Sequence, residues 1–214
     1  MVESTYNWYW LVDGLMEQGY QVHLANTAAI QQYEGLKYTD DHSDARWLAH
    51  LLRLGVLRQG YIYPRAERPV RDLLRKRSQL VRQRTTNLLS IQNLLTRNTG
   101  SSLNANRVKG LDVQQVDELL PDGDLALAVK ANLSVMLSAD EQTKILERTV
   151  IERVQLRPQF CFLKTVPGIG KILALTIMLE TGDIRRFASV GELCFVLSVC
   201  RESEDQQQQE KKQG

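Results

Sequence analysis

No run of apolar residues in this 214-residue sequence reaches the ~18 needed to cross a bilayer as a helix, so a membrane-spanning role is not expected. The N-terminal stretch lacks the pairing of a basic flank with a long apolar segment that marks an export signal. Cysteine is scarce. Cys161, Cys194 and Cys200 show no CxxC spacing and no neighbouring set of histidines, which argues against a zinc site and for reduced thiols in a cytoplasmic setting. Strong net charge is missing too: the formal balance is +2, which by itself selects no class of partner.

The distribution of charge is more informative than its sum. Between Arg65 and Arg97 nine basic residues face two acidic ones, Glu67 and Asp72. That is a local excess large enough to attract a polyanion, and Arg75, Lys76, Arg77, Arg82 and Arg84 at its centre are the candidate contacts to nucleic acid. No aromatic stacking set accompanies them, so recognition through phosphates is expected. Acidic residues gather mainly between Asp112 and Glu152 and in the tail, so near-neutrality conceals a polarised chain.

The stretch KYTDDHSDARWLAHLLRLG, residues 37–55, poses the sharpest question. From Ala45 it has the apolar spacing of a helix, through Trp47, Leu48, Leu51, Leu52 and Leu54. Asp41 and Asp44, three apart at the start of that helix, project from one face. Two readings are open. Acidic residues in a first turn are favoured by the helix dipole, by ~0.3–1 kcal/mol each. Alternatively, two carboxylates at this spacing, joined by a third from another element, are what Mg²⁺ or Mn²⁺ takes from a protein while keeping positions open for water and phosphate.

Along the chain, residues 1–60 follow an α/β order: a short opening strand, a helix over residues 6–18 stopped by Gly19, an alternating strand over 20–26, a second helix over 27–35, and the aspartate helix. Residues 61–156 form a helical region. Leu74, Val81, Leu88 and Leu95 recur every seven residues, which fits a coiled coil or a long core helix. Arg77 and Arg84 fall where a strict seam requires apolar side chains. Residues 98–106 are a turn-rich break, helices follow at 112–120 and 125–137, and Ser138 with Glu141 reads as a capping box opening a last helix. That helix is expected to fold back on the arginine helix with complementary charge.

Residues 160–182, FCFLKTVPGIGKILALTIMLETG, contain two short apolar helices joined by Val166-Pro167-Gly168-Ile169-Gly170. Glycines on both sides of an apolar residue, with Lys171 opening the next helix, form the helix-hairpin-helix pattern. Its backbone N–H groups can hold a nucleic-acid phosphate; a tight helical connection is the other reading. Ser189 and Glu192 make a second capping box, and residues 201–214 are a polar tail expected to be disordered.

Taken in order, ESTYNWYWLVDGL, the strand at 21–26, KYTDDHSDARWLAHLLRLG, GYIYPRAERPVRDLLRKR and TVPGIG resemble the "IS one-ten" group of insertion-sequence transposases, in its "IS eleven-eleven" branch. The resemblance runs from about Glu3 to Arg201. It implies a mainly helical chain with a small α/β part: a RuvC-like nuclease domain of RNase H fold within residues 1–60, a coiled-coil region used for self-association over 61–156, and a helix-hairpin-helix transposase domain over 157–200. It also implies DNA as substrate, a structured guide RNA as partner, a homo-oligomer, a nucleoid-associated location and Mg²⁺ held by an Asp-Glu-Asp-Asp tetrad. Carried onto this chain, the glutamate of the tetrad is Glu3 and its last two aspartates are Asp41 and Asp44. Its first aspartate has no counterpart. The family's serine nucleophile belongs to a segment past the last short helix, where Ser203 is the only serine and a glutamine run follows. The expectation is a transposase truncated at both ends, which binds nucleic acid and does not cut it. The alternatives are a non-catalytic nucleic-acid-binding remnant and a stand-alone Mg²⁺-dependent junction nuclease.

Overall fold

The computed structural model describes residues 1–4, 8–26, 30 and 41–194. The helix expected at 27–35, the end of the last helix, Ser203 and the tail lie largely or wholly outside the described residues. The chain divides into two compact units, Met1–Ala66 and Glu67–Gly214. No helix among the described residues is long and apolar enough to cross a membrane.

The first unit is built on a very small parallel sheet. Strand β1 (Val2–Glu3) pairs with β2 (Leu24–Ala25), Val2 opposite Leu24 and Glu3 opposite Ala25. The strand read over residues 20–26 is therefore much shorter than its alternation suggests. On the other edge of β2, Ala25 bridges Gln59, the Asn26 N–H donates to the Arg58 carbonyl and the Gly60 N–H to the Leu24 carbonyl. Helix α1 (Tyr9–Glu17) supplies Val12, which with Trp8 and Leu24 forms one core. Helix α2 (Asp41–Arg53) supplies Leu48, which joins Ala25 and Leu57 in another. Both helices end in the same way. Gly19 (φ +85°) and Gly55 (φ +71°) adopt the left-handed conformation, and the next residue's N–H bonds back to the helix, Tyr20 to Leu15 and Val56 to Leu51.

The second unit is dominated by a hairpin of two 32-residue helices, α3 (Arg68–Thr99) and α6 (Gly123–Val154), each about 48 Å long at 1.5 Å per residue. Pro69 occupies the first turn of α3 and Gly100 (φ +68°) closes its end. Between them lie α4 (Ala105–Lys109) and α5 (Val113–Leu119), the latter opened by a capping box between Asp112 and Gln115. α4 starts in the last two residues of the stretch expected to be a break, 98–106, and runs beyond it. The helices expected over 125–137 and after Ser138 are a single helix: Ser138 lies mid-helix and caps nothing. Beyond the hairpin come α7 (Pro158–Leu163), α8 (Lys171–Thr181), a 3₁₀ turn (Ile184–Arg186) and the start of a helix at Val190. There the Ser189 hydroxyl accepts from the Glu192 N–H, as the second capping box requires, while the Glu192 carboxylate accepts from the Ala188 N–H.

The hairpin register can be followed through its polar contacts. Arg77 pairs with Glu147, and seven residues later Arg84 pairs with Asp140, seven residues earlier on α6. Carried outward, that register sets Leu74 opposite Val150 and Val70 opposite Val154, all buried in one core with Phe160 of α7 and Ala174, Leu175 and Leu179 of α8. In the other direction it sets Leu88 opposite Met136, Ile91 opposite Leu133 and Leu95 opposite Val129, in a second core closed by Val108, Leu111, Val116 and Leu120. Arg157 and Glu67 continue the same register as an ion pair at the open end. The heptad signal is thus an antiparallel coiled coil within one chain.

Candidate functional site

Glu3 owes its placement to strand alternation. Val2 and Leu24 pack into the α1 core, whereas Ala25 packs against Leu48 of α2. Successive strand side chains point to opposite faces, and residues in register share a face. Glu3, opposite Ala25, therefore lies on the α2 side of the sheet. Asp41 and Asp44 stand in the first turn of α2, where Asp41 is exposed and Asp44 half-buried. The elements carrying the three carboxylates are joined through one small residue, Ala25. Even so, among the described residues no three acidic, histidine or cysteine side chains are grouped closely enough to hold a metal ion. The carboxylates that the resemblance assigns to Mg²⁺ do not fit it as they are arranged. The segment leading into α2, Asp40 included, lies outside the described residues.

In the second unit the cations divide into two classes. Arg77 and Arg84 are half-buried in the hairpin seam and donate to Glu147 and Asp140. Arg71 and Arg75 both grip Glu180 near the end of α8: Arg71 through Nε (3.0 Å) and Nη2 (2.7 Å), Arg75 through Nε (2.9 Å) and Nη2 (3.1 Å). Burial pushes the Glu180 carboxyl up, but the two guanidiniums outweigh it and hold it below its ordinary value. Asp140 is likewise held low, first by the hydrogen bond from Lys144 and then, against the cost of burial, by Arg84. Sequence reasoning did not single out Glu180. Its signal is a lone carboxylate closing an otherwise apolar helix, KILALTIMLET.

Lys76 and Arg82 belong to the other class. Both are exposed; Lys76 donates to the neutral Gln79, and neither has an acidic partner among the described residues. Lys171 is exposed at the first position of α8. The turn before it is made by Gly168 (φ +86°), a conformation an L side chain adopts only with strain, and Gly170, whose position as N-cap brings no side-chain bond to the helix. The first N–H groups of α8, from Lys171 onward, have no intrahelical acceptor. A Cβ on either glycine would meet nothing within 4 Å, so the mouth of the turn is open.

Sequence models of two protein families match this chain. One, a DEDD transposase of IS110 type, covers residues 1–98; the other, described as transposase IS116/IS110/IS902 family, covers residues 161–204. They match in chain order and together span about two-thirds of the sequence. The chain belongs to the IS110 family of transposases. No curated protein matches it. The IS110 match over residues 1–98 takes in Glu3, Asp41, Asp44, Lys76 and Arg82, and the second takes in Gly168, Gly170 and Lys171. Family membership implies DNA transposition and DNA as the partner.

Proposed function

We propose that this chain serves IS110-type DNA transposition by holding nucleic acid through its phosphates, and that it does not cut DNA on its own. The observation that carries the reading is the division of the cations. Arg71, Arg75, Arg77 and Arg84 are committed to carboxylates inside the second unit, whereas Lys76, Arg82 and Lys171 are exposed without such partners, the last beside the open N-terminus of α8. Point charges and backbone N–H groups position a phosphate backbone without reading bases. A structured RNA would meet the same groups. In this reading Glu3, Asp41 and Asp44 are the family's metal-binding carboxylates within an RNase H-like unit, and they require a further rearrangement or a further ligand to hold Mg²⁺.

The test is to incubate the purified protein with a branched DNA and Mg²⁺ or Mn²⁺, following binding by gel shift and cutting on denaturing gels. The reading expects a shifted complex, intact strands and no covalent protein–DNA adduct. Cutting that is lost in Asp44→Ala would show that the three carboxylates suffice. An adduct that is lost in Ser203→Ala would show that the tail carries a nucleophile.

A further inference from the structure

The seam of the hairpin carries an inference about partner choice that does not depend on the nucleic-acid reading. Positions 70, 74, 77, 81, 84, 88, 91 and 95 of α3 alternate in steps of three and four, the spacing of a coiled-coil seam. Five layers at its ends are apolar on both helices. The middle is different: Arg77 faces Glu147, Val81 faces the Thr143 hydroxyl-bearing side chain, and Arg84 faces Asp140. The buried cores stop on either side of this waist. Replacing partly buried ion pairs by well-packed apolar residues is often neutral or stabilising, so stability alone does not account for two of them in a seam.

We infer that the ionic layers Arg77–Glu147 and Arg84–Asp140 are a specificity device: they make the α3 seam accept α6 of the same fold in antiparallel register and reject the α3 of a second copy. The reason lies in composition. In-register pairing of two α3 helices would place Arg77 against Arg77 and Arg84 against Arg84. No shift of register relieves this, because Asp72 is the only acidic residue in the 32 residues of α3. Four desolvated guanidiniums, two from each copy, would be left without a carboxylate, whereas α6 supplies carboxylates at the same seven-residue spacing. Assembly of copies then has to use a surface other than this seam.

The experiment uses a seam reporter: Val81→Cys in the full chain with Cys161, Cys194 and Cys200 replaced by serine. Position 81 faces Thr143 in the hairpin but would face its own copy in a paired α3 seam. With the charged layers intact, oxidation is expected to give no disulfide-linked dimer through the reporter. With Arg77, Arg84, Asp140 and Glu147 all replaced by leucine, the linked fraction is expected to rise at least about tenfold, as the negative element is gone. A second series guards against loss of folding. Arg77→Glu with Arg84→Glu should lower the melting temperature by roughly 5–15 °C, and adding Asp140→Arg and Glu147→Arg should restore most of it. Cross-linking with the native layers, no gain in the leucine variant, or failure of the reversed layers to restore melting would each overturn the inference.

Discussion

Helices α2 and α3 present the same puzzle with opposite solutions. Each carries like charges beside an apolar stripe, aspartates in one and arginines in the other. In α3 the charges inside the seam meet carboxylates from α6 and α8, and so belong to the architecture. In α2, Asp41 and Asp44 have no ion pair among the described residues, and the dipole of their own first turn is the stabilising contact in view. A charge answered within the chain is structural; a charge left unanswered is available to something else. The rule also sorts the cations within α3, separating Arg77 and Arg84 from Lys76 and Arg82.

The largest effect that this distinction predicts concerns Glu180. Glu180→Ala strands the buried Arg71 and should cost about 3–5 kcal/mol, whereas Asp44→Ala should cost within about 1 kcal/mol. Thermal or denaturant unfolding of the two variants compares them directly, and equal losses would break the contrast. Of similar size, Ile91→Ala empties a fully buried position in the hairpin and should cost about 2–5 kcal/mol. If that loss were absent, the register assigned to the seam would be incorrect.

Acid provides a gentler probe. Glu180 and Asp140 are held below their ordinary values of 4.5 and 3.8 in the folded chain. A group whose folded value is depressed contributes stability that is present above its unfolded value and lost as pH falls through the folded one. Unfolding midpoints of the second unit should therefore be level above about pH 5 with respect to these groups and fall below about pH 4. Glu180→Gln should flatten part of that fall, and an unchanged acid limb would remove the carboxylate from the account.

Much of this was legible in the sequence, and the gaps have physical causes. The α3 heptads, the start of α2 at its aspartates and the helix expected over 112–120 are local signals, and they hold in the structure. The continuity of α6 was hidden because Asp140, Thr143 and Glu147, its seam residues at the waist, are polar and interrupt the apolar period. The readable clue was electrostatic: two carboxylates seven apart matching two arginines seven apart. Strand β2 was overestimated because alternation in 20–26 reports a half-buried segment, whereas strand length is set by the partner, and β1 offers two residues. The placement of Glu3 on the α2 side of the sheet follows from alternation, but closure of three carboxylates around a metal depends on tertiary distances that no local pattern specifies.

The smallest effects, and the most direct test of the central claim, come from a salt titration of DNA binding. Affinity for a nonspecific duplex would be measured from low to physiological salt for the native chain, for Lys76→Ala with Arg82→Ala and Lys171→Ala, and for Arg77→Ala with Arg84→Ala. Each phosphate contact contributes roughly 0.9 to the log-log slope. The account predicts that removing the three exposed cations lowers affinity and flattens the slope by about 2–3, with melting almost unchanged, whereas removing the two seam arginines lowers melting and leaves the slope of the folded fraction as it was. A slope that persists without Lys76, Arg82 and Lys171, or one that collapses with Arg77 and Arg84 alone, would contradict it.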